Sequence, residues 1–231
     1  MTKQHWKNQA DNWLAWARTP GDAYWNYFQA FFELVPPPRG RTLEVGCGEG
    51  RVSRDLASRG HSVTAVDATP RLLQKARESD VTSTYLIGDA AALPFADASF
   101  DLVVFYNVLM DVEDMEGSVL EAARVLRTGG KVCACVTHPI SDAGAFESHE
   151  PDAPFVMRGS YLGSRRWLEL PAERDGLHMD FSGWAYSLEH YFFALEAAGL
   201  MVEALREPQY SGSDERWRRV PNFLMWRAAK P

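Results

Sequence analysis

The run TLEVGCGEGRVSRDL, residues 42–56, sets glycines at 46, 48 and 50 between a short apolar stretch and a helical pattern, with an acid, Glu44, two residues ahead of the first. Closely spaced glycines let a backbone bend tightly and approach a ligand. The spacing argues against two phosphate chemistries. A dinucleotide turn, G-x-G-x-x-G, would want glycine at position 51, which is Arg51, and a Walker loop would need G-K-[ST]. A carboxylate at Glu44 would repel a pyrophosphate and welcome a cation. Further acids, Asp67 and Asp89, close the apolar runs HSVTAVD and TSTYLIGD. His138 follows KVCACVT, and its imidazole can titrate near neutral pH. Two readings of it stand: a general base at a strand end, or a structural histidine bonding nearby backbone. Asp111, His178 and His190 are weaker candidates for a base, His190 because the first turn of a helix disfavours its cationic form.

The elements that must position these residues alternate. Residues 1–34 read as helix, with Tyr24, Phe28, Phe31 and Val35 at helical spacing, and VPPPRG ends it. Strands are expected at Thr42–Val45, HSVTAVD, TSTYLIGD, FDLVVFYNV and KVCACVT, with helices at Val52–Arg59, after Thr69-Pro70, and at Gly117–Arg127. Thr69 is expected to cap its helix through the hydroxyl, with Pro70 at the first helical position. Ser187 is expected to cap a last helix, and LMVEALRE and NFLMWRA read as closing strands. Strand–helix alternation implies an α/β fold with a doubly wound, mostly parallel sheet of seven strands. Residues 138–183 show no clear period and read as an irregular insertion over one end of the sheet. The chain is thus expected to form a single domain: a helical lid at 1–38, a ligand-binding core at 39–140, a lid insertion at 141–186, and a closing helix and strands at 187–231.

Composition narrows the partners. A net charge of −7 argues against a dedicated nucleic-acid binder. No stretch approaches the eighteen or so continuous apolar residues of a membrane span, and the opening residues do not read as a leader. The three cysteines are unpatterned, so a reducing cytoplasm is the expected location. Cys47 reads as a small packing residue in the turn, and Cys133 and Cys135 as core residues on one strand face. No metal site is read.

LEVGCGEG, Asp67 at the end of the second strand, GDAAALPFADASFDLVV and VLRTGGKV together resemble, in order, the motifs of the class I S-adenosylmethionine-dependent methyltransferases over roughly residues 40–138. The resemblance implies a Rossmann-like methyltransferase fold with S-adenosylmethionine as cofactor. It places Glu44 near the ammonium of the methionine tail, Gly46, Cys47 and Gly48 along the cofactor, and Asp67 on the ribose hydroxyls with Ala68 and Leu72 beside it. It puts Asp89 and the Ala90 backbone N–H on the adenine, and Tyr106 and Asn107 beneath the methionine part. The termini resemble small-molecule methyltransferases more loosely.

Methyl transfer gains much of its rate from holding nucleophile and methyl close and aligned, so the acceptor must be read from the pocket walls. YNVLMD after the fourth strand lacks the Pro-Pro of exocyclic-amine enzymes, and the cysteines do not sit where a cytosine-directed nucleophile would. The basic clusters SRRW and RWRR are too short for an RNA track. The expected acceptor is therefore a small organic molecule methylated on O, N or activated C, in secondary metabolism, by a monomer or homodimer. A non-catalytic cofactor-binding protein and an RNA methyltransferase stand as alternatives. Trp13, Tyr24, Tyr161, Trp184 and Tyr186 are the expected acceptor walls, with His138 and Tyr24 as catalytic candidates.

Overall fold

The computed structural model describes residues 2–19, 22–162 and 166–231. It opens with helices α1 (Thr2–Trp16) and α2 (Tyr24–Leu34). The alternating core follows: β1 (Arg41–Val45), α3 (Arg51–Ser58), β2 (Ser62–Asp67), α4 (Pro70–Ser79), β3 (Thr84–Ile87), β4 (Phe100–Tyr106), α5 (Met115–Val125) and β5 (Leu126–Thr137). Two hairpins come next, β6 (Gly144–Phe146) with β7 (Phe155–Met157) and β8 (Arg166–Arg174) with β9 (Leu177–Ala185). The chain closes with α6 (Leu188–Ala197), β10 (Met201–Arg206) and β11 (Phe223–Ala229).

Seven strands make one sheet in the order β10-β11-β5-β4-β1-β2-β3. Strands β1 to β5 pair in parallel, while β11 runs antiparallel to β5 and β10 antiparallel to β11. This is the expected doubly wound sheet. Its order reverses between β1 and β4, where the loops leaving adjacent strands diverge and open a crevice.

Side-chain parity divides the core. On β4, Leu102, Val104 and Tyr106 face a cluster with α2, α3 and α4, while Val103 and Phe105 face a second cluster with α5 and α6. On β5, Cys133 and Cys135 join the first cluster and Val132, Ala134 and Val136 the second. Both sheet faces are covered, which is why these central strands read as nearly continuous apolar runs.

Several expectations change. The stretch read as one helix over 1–34 is two, and the second starts where Asp22 Oδ1 accepts the Tyr24 N–H at 3.0 Å. The helix expected from Gly117 begins at Met115, capped by Asp114, which accepts the Gly117 N–H. Thr69 makes no side-chain cap to its helix; instead Asp67 Oδ1 accepts the Thr69 N–H at 2.8 Å. Ser187 does cap α6, accepting the His190 N–H. The insertion read as irregular holds the β8–β9 hairpin, which packs against α1. Its turn carries a signal that could have found it: Asp175-Gly176, both at positive φ, 50° and 77°, the dipeptide and conformation of a tight two-residue hairpin turn. Of the SRRW cluster, Ser164 and Arg165 lie outside the described residues. No helix among the described residues is long and apolar enough to cross a membrane.

Candidate functional site

A cavity of about 760 Å³ opens at the carboxyl ends of β1, β2 and β4 and runs beneath α1 and the β8–β9 hairpin. Its floor is the glycine turn. Gly46 has φ +73°, and a Cβ there would come within 2.4 Å of a Val108 methyl, so only glycine lets the turn close against the β4 loop. At Gly48 a Cβ would meet nothing nearer than Trp13 Nε1 at 3.7 Å, which leaves that backbone open to a ligand.

Carboxylates surround the turn. Glu44, on β1, is 2% exposed and accepts a hydrogen bond from Ser53 in the first turn of α3. Burial pushes its carboxyl up to about 8; the Ser53 bond works against this and the charges of Glu49 and Asp67 add to it. Asp67 takes the Gly48 N–H on Oδ2 and the Thr69 N–H on Oδ1, both at 2.8 Å. Burial raises its pKa in spite of those bonds. Asp89 accepts from Lys3 of α1 and from the Ala91 N–H. Burial pushes Asp89 up, but those two donors outweigh it and hold the carboxyl below its usual range. Ala68, Leu72, Ala90, Cys47, Tyr106 and Asn107 line the same cavity. Asn107 adopts φ +54° at the end of β4, a conformation that asparagine tolerates better than most residues, and its Oδ1 is buried without a hydrogen-bond partner. The residues expected around a cofactor are thus together on one wall.

The opposite wall comes from α1, α2 and β8–β9. Trp13 and Trp16 meet Phe181 edge-on at 6.3 and 5.6 Å. His5 Nε2 donates to the Asp180 carbonyl at 2.8 Å. Arg174 donates to Thr19 Oγ1 at 2.8 Å and stacks over Trp16. The Trp184 N–H donates to the Met110 carbonyl at 2.7 Å, tying β9 to the loop after β4. Asp111, Thr137, Asp142, Ser182 and Asn222 also face the cavity.

Among the expected acceptor walls, Trp13, Tyr24 and Trp184 line the cavity, and Tyr161 and Tyr186 do not. The Tyr161 hydroxyl accepts the Leu188 N–H at 3.1 Å, and Tyr186 packs against Tyr191 and His190. Tyr24 donates its hydroxyl to Asp55 on α3, while Arg51 stacks on its ring and pairs with Asp22 at 2.7 Å. Burial, with the Asp55 bond adding to it, pushes the phenol far above its ordinary range, so Tyr24 is a wall and a brace rather than a base.

His138 is the main correction. It is 0% exposed and absent from the cavity wall. Its Nε2 donates to Glu207 at 2.9 Å and its Nδ1 accepts the Ile140 N–H at 3.0 Å. Burial holds its pKa below the ordinary value, with Glu207 opposing. Parity explains the placement: Thr137 takes the cavity side, so the next residue takes the other face. His138→Ala is therefore expected to leave S-adenosylhomocysteine affinity within about twofold of wild type while costing on the order of 1–3 kcal/mol of stability, the usual range for losing a buried, bonded side chain. Calorimetry alongside thermal denaturation checks this; lost binding at unchanged stability would return His138 to the site. Of the other base candidates, His178 is exposed and bonded to Asp180, His190 lies beside Ser187, and Asp111 alone reaches the cavity.

Sequence reasoning missed Thr137, Asp142, Arg174, Phe181, Ser182 and Asn222 as wall residues, because most of them sit on the segment read as irregular.

The acid set fits S-adenosylmethionine: three carboxyl groups and an open glycine turn suit an ammonium, two ribose hydroxyls and an adenine amine. The sheet and this wall have the architecture expected of the class I S-adenosylmethionine-dependent methyltransferase fold. Residues 43–134 match the family model described as a methyltransferase domain. The chain is 36% identical over 125 residues to a demethylmenaquinone methyltransferase of Tropheryma whipplei (strain Twist), covering 51% of this chain and 50% of that one. It is 41% identical over 92 residues to a malonyl-[acyl-carrier protein] O-methyltransferase of Erwinia pyrifoliae, covering 40% and 35%. The chain spans about half or less of the length of these curated relatives. In fold it is similar to an S-adenosylmethionine-dependent methyltransferase of Mesorhizobium loti, with a TM-score of 0.71 at 24% identity over 90% of this chain and 98% of that one.

Proposed function

We propose that the protein transfers a methyl group from S-adenosylmethionine to O, N or activated C of a small organic molecule. The observation that carries this is the single cavity in which the glycine turn with its carboxylates faces an aromatic wall. Its volume falls in the range of roughly 300–1,000 Å³ typical of small-ligand sites. When bound, the cofactor supplies an electrophilic methyl on a sulfonium. The chain's own residues do the rest: Glu44, Asp67 and Asp89 hold and orient it, and Trp13, Trp16, Phe181 and Trp184 exclude water from the acceptor side. We take α1 and the β8–β9 hairpin as the lid, joined by the His5 and Arg174 bonds. The matched span, 43–134, contains neither of them. The relatives' two acceptors, demethylmenaquinone and a malonyl-[acyl-carrier protein], are therefore not carried over to this chain.

Titration calorimetry is expected to show S-adenosylhomocysteine binding with NAD and ATP far weaker, and labelled S-adenosylmethionine to mark a small molecule in a metabolite extract. Hydrogen exchange should slow in α1 and the hairpin on binding. Tight NAD binding without a response to S-adenosylhomocysteine would end this reading.

A further inference from the structure

Among the described residues, the part of the cavity beneath the β8–β9 hairpin is rich in hydrogen-bond acceptors and poor in positive charge. Asp111 follows β4, and a Cβ built on Gly183 would come within 3.0 Å of its Oδ1. Glycine at 183 thus leaves the hairpin's inner face room for that carboxylate. Among the described residues no cation and no hydrogen-bond donor reaches the Asp111 side chain, and the charges near it are those of Asp142 and Asp67. Among the described residues, the cations on the cavity wall are engaged elsewhere: Lys3 on Asp89, Arg51 on Asp22, Arg174 on Thr19 and the Trp16 ring.

An independent observation comes from a neutral group on the β8–β9 wall: Ser182 is 7% exposed and its hydroxyl has no hydrogen-bond partner among the described residues. Buried polar groups are normally satisfied, so an unsatisfied hydroxyl lining a cavity indicates a ligand with a hydrogen-bonding group.

We propose that the acceptor is a small organic amine, bound as its ammonium cation with Asp111 as the counter-charge, and that an N–H proton passes from it to the Asp111 carboxylate so that the freed nitrogen lone pair can take the methyl. This rests on the methyltransferase reading and deepens it. Burial and the two neighbouring carboxylates push the Asp111 pKa well above its usual range, as happens to an acid whose surroundings supply no positive charge. An anionic acceptor would have to displace Arg174 from its present partners and approach three carboxylates.

The test uses the full-length protein saturated with S-adenosylhomocysteine and three probes of matched shape: benzylamine, benzyl alcohol and benzoate. Binding is read by calorimetry. Benzylamine is expected to bind about tenfold or more tighter than benzyl alcohol, the scale of one charge-assisted hydrogen bond, with benzoate weakest. Asp111→Asn should bring the amine to within about twofold of the alcohol and leave S-adenosylhomocysteine affinity unchanged. Equal or tighter binding of the alcohol or benzoate, no binding of benzylamine, or an amine preference that survives Asp111→Asn overturns the proposal. The wild-type order decides it even if the variant fails to fold. Intact S-adenosylhomocysteine binding with no amine preference defeats this inference alone, whereas absent S-adenosylhomocysteine binding defeats the methyltransferase reading as well.

Discussion

Replacing Asp67 by alanine is expected to weaken S-adenosylhomocysteine binding by about 1.5–3 kcal/mol, roughly ten- to a hundredfold, the range for hydrogen bonds to a charged group. The carboxylate has two tasks. It accepts the Gly48 and Thr69 N–H groups, which fixes the glycine turn and the start of α4, and its remaining lone pairs face the cavity, where the family resemblance places the ribose. Asp67→Asn separates the tasks. The asparagine oxygen keeps one backbone bond, but its NH2 turns a donor toward the other N–H and toward the ligand. Both variants should bind weakly while near-ultraviolet circular dichroism stays native. Full affinity in a folded Asp67→Ala protein would show that the acid only braces the turn.

Glu44→Gln is expected to move stability and binding in opposite directions. The folded protein holds the Glu44 proton up to about pH 8, against an ordinary value of 4.5. A buried acid with a raised pKa destabilises the fold once it ionises. Stability from this group is therefore unaffected below about pH 4.5, falls as pH rises through the interval to about 8, and stays low above it. Glutamine keeps an oxygen for Ser53 and cannot ionise. The variant should match wild type in acid and exceed it by a few kcal/mol near pH 9, on the order of 1.4 kcal/mol for each pH unit of raised pKa. It should also bind S-adenosylhomocysteine more weakly, because the charge that would meet the ligand's ammonium is gone. Wild-type binding near pH 7 should release a proton, read by calorimetry in buffers of different ionisation enthalpy. A variant that melts below wild type at every pH would show that Glu44 is ionised and compensated in the empty protein.

These two acids differ in how far the sequence exposes them. Both stand at fixed offsets from features that local physics dictates: Glu44 within a short apolar strand just ahead of three positive-φ glycines, Asp67 at the end of the next strand. Strand alternation, the glycine turn and the nearly continuous apolar runs of β4 and β5 are short-range patterns. They determine which elements form and that their carboxyl ends share an edge, and so they place the wall that holds the glycine turn, Glu44 and Asp67.

The other wall depended on tertiary structure. The side His138 faces depends on strand parity carried through to the last residue of β5, a shift of one position that moves an imidazole from cavity to core. The Tyr24 hydroxyl meets Asp55 because α2 lies against α3, a contact between elements that no local spacing encodes. The β8–β9 hairpin has a legible turn at Asp175-Gly176, but its docking on α1 and on the Met110 carbonyl is long-range. That docking brings Ser182 and Gly183 over Asp111. Local sequence thus determined the sheet and the wall that carries the glycine turn and its carboxyl groups, because strand ends and turns are made of neighbouring residues. The opposite, aromatic wall was decided only when segments far apart in the chain packed together.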